Sequence, residues 1–392
     1  MTNARTYLDH NATTPLRAEA RVAMVSALDL CGSASSIHGD GRAVRKSIDV
    51  ARHEVAALIG AQAKNVVFCG SATEANNMAL CLDWQRDGKT PLRRLAVSAV
   101  EHVSVLNGGR VAEDCISILP VNDQGLVDLA VVKTLLDQWQ SEGVSGLVSI
   151  MLANNETGVV QPVKAVADLV HAAGGMVHCD AAQAAGKIAI SINDIGADLL
   201  TVSSHKLGGP LGAGALVLAS EVAHLARPLL RGGGQEKGRR AGTENAPAIA
   251  GFGAAATAAL HHLAEYGSHA RGVRDELEAR LRDVSGKIVF FGERAQRLPN
   301  TSCFAEPGMT AETMLIALDL EGISVSSGSA CSSGKVKISH VLMAMGVEQE
   351  LASCAIRVSL GRDVSAEDIK FLVAVWTRLR KSLHDRKQHR AA

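Results

Sequence analysis

Short apolar, β-branched runs alternate with helix-like segments over the first two-thirds of the chain. Seven runs predict strands: Val66–Cys69, Leu95–Ala99, Cys115–Leu119, Leu147–Ala153, Met176–Cys179, Leu199–Ser203 and Ala215–Leu218. Most carry apolar residues at both odd and even positions, the pattern of strands buried on two faces in a mostly parallel sheet. Between the fourth and fifth runs, Val163–Ala173 has helical spacing and stops at Gly174-Gly175, which predicts a βαβ unit. The alternation defines an α/β fold class.

Beyond Asn245 the pattern changes. A long helical region runs past Leu281 and is followed by strand-like Ile288–Phe291 and Ser302–Phe304. Helix Ala311–Glu321, strand Ile356–Leu360 and a last helix Ala366–Ser382 complete the chain. This predicts a smaller α+β domain, formed by residues 261–392 with the N-terminal residues 1–14 returning to it. Residues 15–260 form the large domain, a mainly parallel seven-stranded sheet covered by helices.

Composition narrows the class further. Hydrophobic residues are 47% and charged residues 20% of 392, a globular balance. Lys+Arg and Asp+Glu are both 40, which argues against a nucleic-acid protein working by bulk charge. The longest charge-free stretch, Asn245 to Ala264, is Ala/Gly-rich and too polar to span a membrane. The first fifteen residues contain no apolar signal region, so the expectation is a soluble, cytoplasmic protein. The eight cysteines contain no CxxC pair. Cys69 and Cys179 fall in apolar runs and read as buried, inert thiols.

Ligands of open α/β sheets sit beyond the carboxyl ends of the strands. Reading those ends in order gives Ser71-Ala72-Thr73, Glu101-His102, Asn154-Asn155-Glu156, Asp180 to Gln183, and Ser203 to Lys206. Ser71-Ala72-Thr73, between a strand and a helix, reads either as an anion cup or as a plain N-cap. No GxxxxGKS or GxxxxGKT segment exists, which disfavours a nucleoside triphosphate. Asp180 and Lys206 end successive strands; they suit either a structural ion pair or a pyridine-nitrogen partner with a Schiff-base lysine. With the anion cup, the second choice meets the needs of pyridoxal 5′-phosphate. His102 reads as a ring-stacking acid–base group or an inert strand-end residue. Cys331 lies among small polar residues that cannot bury it, giving an accessible thiol. Arg357 interrupts an apolar strand and calls for a carboxylate, from the protein or from an amino acid.

Nine segments together carry a family resemblance: YLDHNATTP (7–15), SATEANN (71–77), EHVSVL (101–106), NNETG (154–158), HCDAAQ (178–183), SSHKLGGPLGAGAL (203–216), GGGQEKGRRAGTEN (232–245), SSGSACSSG (326–334) and IRVSLGR (356–362). In this order they resemble the cysteine desulfurases of the NifS/IscS type, class V aminotransferases of the fold-type I pyridoxal phosphate class. The resemblance implies conversion of L-cysteine to L-alanine, the sulfur passing as a persulfide on Cys331 to an acceptor or iron–sulfur scaffold protein. Lys206 would carry the cofactor, Asp180 would face its ring nitrogen, and His102 would stack on the ring and carry protons. Asn155 and Gln183 would serve the ring hydroxyl side and the substrate. Ala72, Thr73, Ser203 and His205 would hold the phosphate, with Thr243 reaching it from the second subunit of a homodimer. Arg357 would grip the substrate carboxylate. No metal is expected in the catalytic site, and no nucleic acid or membrane as partner. The tail Arg378–Ala392 lacks the longer extension of IscS-like members and carries six Lys/Arg against one Asp, either a solvated helix end or a surface for an acidic scaffold. A selenocysteine lyase, another related enzyme or a non-catalytic binding subunit are the competing readings. General iron–sulfur assembly, nitrogenase maturation and tRNA thiolation all remain open as destinations.

Overall fold

The structure is a computed structural model describing residues 5–86, 90–221, 223–327 and 337–391. Its centre is a seven-stranded sheet in the order Val66–Cys69, Gly214–Leu218, Leu199–Ser203, Met176–Asp180, Ser145–Ser149, Leu92–Ser98, Ile116–Leu119. Each predicted strand is present, two of them residue for residue and the others with ends shifted by a few residues. Gly214–Leu218 runs antiparallel to both neighbours, while the other pairs are parallel. Six strands therefore deliver their carboxyl ends to one edge.

Period-2 alternation explains why the strand sequences look apolar throughout. Val148, Val177, Leu200 and Val217 point to one face and pack with helices Gly39–Leu58 and Ala246–His261. Leu147, Met176, Leu199 and Leu216 point to the other, against helix Ala72–Ala79. Both faces are dry, so alternation with polar residues is absent.

A second core gathers around Phe304 and Trp376, whose rings meet edge to face at 5.2 Å. It is built on the antiparallel sheet Val289–Phe290, Thr301–Ala305, Ile356–Ser359 and helices Leu263–Val284, Ala311–Leu320 and Ala366–Ala391. The N-terminal Thr6–Tyr7 pairs in parallel with Ile323–Ser324 and delivers Leu8 to this core. The long helical region predicted from Asn245 onwards is two helices, parted at His262. Ala246–His261 belongs to the first core, and Val273, Leu277 and Leu281 of the next helix to the second. The last helix continues to Ala391 rather than stopping at Ser382, because no Gly or Pro intervenes to end it. Cys69 and Cys179 are buried as expected, and burial pushes the Cys69 thiol up to about 12. Among the described residues no helix is long and apolar enough to cross a membrane.

Candidate active site

The Met176–Asp180 strand ends on Asp180, whose Oδ1 accepts the N–H of Ala182 at 2.9 Å while Oδ2 accepts Asn76 Nδ2 at 2.8 Å. Asn76 spends its other amide hydrogen on Ser104 Oγ, at 2.8 Å. The Ser104 hydroxyl lies 2.8 Å from His102 Nδ1, and the Ser104 N–H donates to the same nitrogen at 3.1 Å. A nitrogen that accepts a backbone N–H carries no proton in the neutral ring, so the neutral His102 holds its proton on Nε2. Burial keeps the His102 pKa below its usual value, against the pull of Asp180. Asn76 thus links the carboxylate to the histidine, a role its place in the SATEANN segment did not reveal.

One strand over, Leu199–Ser203 runs into a short 3-10 turn carrying His205 and Lys206. Lys206 Nζ donates to the main-chain oxygens of Asn11 at 2.5 Å and Ala12 at 2.9 Å. Burial, with Arg357 adding to it, lowers its pKa to about 8, although Asp9 and Asp180 oppose the shift. An amine so placed is available as a nucleophile near neutral pH. His205 Nδ1 lies 3.1 Å from Thr13 Oγ1, and burial lowers its pKa to about 4.

Ser71 caps helix Ala72–Ala79 by accepting the Glu74 N–H at 3.1 Å. Glu74 in turn accepts Gly70 N–H at 2.7 Å and pairs with Arg240 at 2.7 Å. These bonds leave the N–H groups of Ala72 and Thr73 without an acceptor among the described residues. The Gly214–Leu218 strand passes directly against this turn: a Cβ on Gly214 would lie 2.6 Å from the Ser71 carbonyl carbon and 3.0 Å from Ala72 N. Ser203 pairs with Gly214 in the sheet, which puts it beside the same cup. Both the cap and the free donors are present, so the two readings of Ser71–Thr73 coexist.

Arg357, 4% exposed, has a carboxylate partner in Asp9, with Nη2 2.7 Å from Oδ1. Nη1 donates to Asn155 O at 3.0 Å, and Nε is buried without a partner. Asn155 Oδ1 is likewise buried and unpartnered. Gln183 donates from Nε2 to Asn11 O at 2.9 Å. Asn11 is the hub that the motif did not announce, touching Asn155, Gln183 and Lys206 from one core and Thr301 and Asn300 from the other.

Thr243 is exposed and makes no hydrogen bond to this cluster. Cys331 lies outside the described residues. The chain on either side of it is anchored at the site: Ser326 exchanges backbone hydrogen bonds with Arg357, and Ser339 Oγ donates to the buried Glu156. His340 Nε2 donates to Glu101 O at 2.9 Å, next to His102.

The chain and its fold have known counterparts. The chain belongs to the aminotransferase class-V family, whose model matches residues 6–372. That family is dependent on pyridoxal phosphate. The chain is 42% identical to a cysteine desulfurase of Cereibacter sphaeroides, over 95% of this chain and 94% of the relative. It is 38% identical to the cysteine desulfurase IscS of Dictyoglomus turgidum, over 96% and 95%. Among solved structures, a NifS-like protein from Rickettsia africae superposes with a TM-score of 0.84 at 33% identity, covering 97% of this chain and 99% of that one. A structure described as SspA in complex with cysteine covers 91% and 98%, with a TM-score of 0.73 at 27% identity.

The residues present fit the family's cofactor. The cup offers unpaired N–H groups to a phosphate, Asp180 offers a carboxylate to a ring nitrogen, and the buried, unpartnered Asn155 Oδ1 awaits a donor.

Proposed function

We propose that the protein is a cysteine desulfurase that binds pyridoxal 5′-phosphate, takes the sulfur of L-cysteine and releases L-alanine. Bound pyridoxal phosphate supplies an electron sink for the bonds at the substrate's α-carbon. Lys206 would carry it and, as a free amine, would move the substrate's α-proton; a pKa of about 8 suits both tasks. Asp180 holds the ring nitrogen protonated, kept in place by Asn76 and Ala182. His102 would stack on the ring, and with Nδ1 accepting the Ser104 N–H its Nε2 proton would be available to the reacting sulfur. Ala72, Thr73, Ser203 and His205 hold the phosphate, while Asn155 and Gln183 face the ring hydroxyl. Arg357 takes the substrate carboxylate through its free Nε edge. The Cys331 thiolate attacks the substrate sulfur; the Cβ–S bond breaks, its electron pair staying with the carbon skeleton that becomes alanine, and Cys331 keeps the sulfur as a persulfide.

The observation that carries this reading is the convergence of Lys206, Asp180 and His102 on one sheet edge, with the Lys206 pKa lowered and no carboxylate paired with it among the described residues. Anchors on both sides of the Cys331 segment support its part. The division at His262, with residues 1–14 joining 261–392, is supported by the two main cores, which a smaller cluster of Val100, Met151, Phe291 and Cys303 joins across the divide. A homodimer is supported by the apolar stripe Val22, Val25 and Leu28, each more than half exposed on helix Ala18–Leu28, and by the exposed Thr243. A cytoplasmic setting, where thiols stay reduced, suits persulfide delivery to an acceptor or iron–sulfur scaffold protein. Incubation of the holoenzyme with L-cysteine alone, followed by mass spectrometry of the Cys331 peptide, tests the assignment. A peptide heavier by one sulfur atom supports it; an unmodified peptide alongside alanine production refutes it.

A further inference from the structure

Lys187 lies one helical turn beyond Gln183 and is 4% exposed, yet the chemistry above gives it no task. Its Nζ donates to Asn11 Oδ1 at 2.7 Å and to Gln183 Oε1 at 2.8 Å. Both acceptors are neutral amides, and among the described residues no carboxylate pairs with it. A buried amine without a counterion is costly to fold around, so its place calls for a compensating role.

The hydrogen-bond directions supply one. Gln183 Oε1 receives Lys187, and Gln183 Nε2 gives one hydrogen to Asn11 O at 2.9 Å. The flipped amide would set Nε2 against a donor and Oε1 against a carbonyl oxygen, two mismatched pairs. The amide is therefore fixed, with one N–H of Nε2 left unused. Asn11 is fixed in the same way. Its Oδ1 receives Lys187 and Asn300, so its Nδ2 turns to Thr301 Oγ1 at 2.9 Å, and its main-chain oxygen receives Lys206.

We propose that Lys187 is a positioning residue: it holds the Gln183 amide with its free N–H toward the bound cofactor's ring oxygen and clamps the Asn11 segment that receives Lys206. The inference rests on the reading of Gln183 as facing the ring oxygen. Lys187 itself touches neither cofactor nor substrate. Burial drives its pKa well below the usual lysine value, and the neighbouring charges of Lys206 and Arg357 push the same way. Asp9, Asp180 and Arg357 are the other charged groups facing Lys206.

A double-variant cycle on the holoenzyme tests this, using the parent, Lys187→Met, Gln183→Leu and the combined variant. The readouts are the dissociation constant for pyridoxal phosphate and the pH midpoint of the bound cofactor's visible absorption. Lys187→Met is expected to weaken cofactor binding by about 10–100-fold, by analogy with the loss of a residue that orients a metal ligand. It should also shift the midpoint, since the Asn11 segment whose main-chain oxygen receives Lys206 loses its clamp. The combined variant should be no worse than Gln183→Leu alone. Independent, multiplying effects would overturn the proposal, as would an unchanged affinity and midpoint in Lys187→Met. Should Lys187→Met not fold, Lys187→Gln fills the space with a single shorter donor arm; a shifted midpoint supports the role and an unchanged one overturns it. If the parent itself binds no pyridoxal phosphate, the reading of Gln183 falls as well; a parent that binds normally beside unchanged variants overturns the role of Lys187 alone.

Discussion

Arg357 meets Asp9 at 2.7 Å, so the guanidinium that the sequence sets aside for an amino acid is half engaged by the protein itself. Asp9 holds the fork in plane, Asn155 O steadies Nη1, and the unpartnered Nε edge is what remains for an incoming carboxylate. Lysine cannot reproduce this fork. Arg357→Lys is expected to lose about 1.5–3 kcal/mol of charge-assisted bonding, or roughly 10–150-fold in kcat/KM for L-cysteine. Most of the loss should fall on KM. Steady-state kinetics check this, and an unchanged KM would remove Arg357 from substrate binding.

The lowered pKa of Lys206 makes a prediction about the apoenzyme. Burial disfavours the ammonium, so the free amine is the main form above a pH of about 8. The rate of pyridoxal phosphate attachment should rise through that pH and level off, followed by the growth of visible absorption. A rise centred near the ordinary lysine value of 10.5 would show that the site does not perturb Lys206. The same shift has a stability consequence. The unfolded chain binds the proton more tightly, so the apoprotein gains stability as pH rises from about 8 towards 10.5.

Gly214 is the third test. Its φ is ordinary, but a methyl group there would press on backbone atoms of Ser71 and Ala72, which cannot rotate away. Gly214→Ala should displace the helix start from the strand, at a cost of about 1–3 kcal/mol from overpacking. Weaker pyridoxal phosphate binding should accompany a lower Tm. If only Tm falls, the cup does not hold the phosphate.

A fourth test concerns the segment that bears Thr243. Glu236 and Lys237 adopt left-handed backbone, with φ of 48° and 56°. Glu236 is held by a two-pronged pair to Arg52, 2.7 Å on each arm, and accepts Phe68 N–H at 3.1 Å. Arg52→Met leaves that buried carboxylate without its cation, a change that costs about 3–5 kcal/mol. Chemical denaturation of the apoprotein measures it, and a loss under 1 kcal/mol would mean the pair does not secure the segment.

The central sheet was legible because its strands are apolar on both faces and bounded by small or polar residues. Val66–Cys69 and Leu199–Ser203 match residue for residue. Strand ends were less legible: Leu147–Ala153 reads as one apolar run, but the regular strand ends at Ser149, and beyond it only Ile150 and Leu152 still donate to the neighbouring strand, at His178 O and Asp180 O. Helix Gly39–Leu58 went unmarked because its Gly-Asp-Gly opening looks like a turn; His38 caps it through Nδ1 to Gly41 N–H at 3.3 Å. In the site, Asp180, His102 and Lys206 announced themselves by sitting at strand ends. Asn11, Asn76 and Lys187 did not, because their work depends on which donors and acceptors face them in space. A buried lysine beside two amides has no signature in one dimension.

Alanine formation from L-cysteine in the presence of a thiol reductant, measured side by side for the parent and Cys331→Ser, tests the central claim most directly. The account predicts steady alanine and sulfide production by the parent, and a serine variant that binds pyridoxal phosphate normally but stalls. Equal turnover by the two proteins would contradict it, because the sulfur would then leave without passing through Cys331.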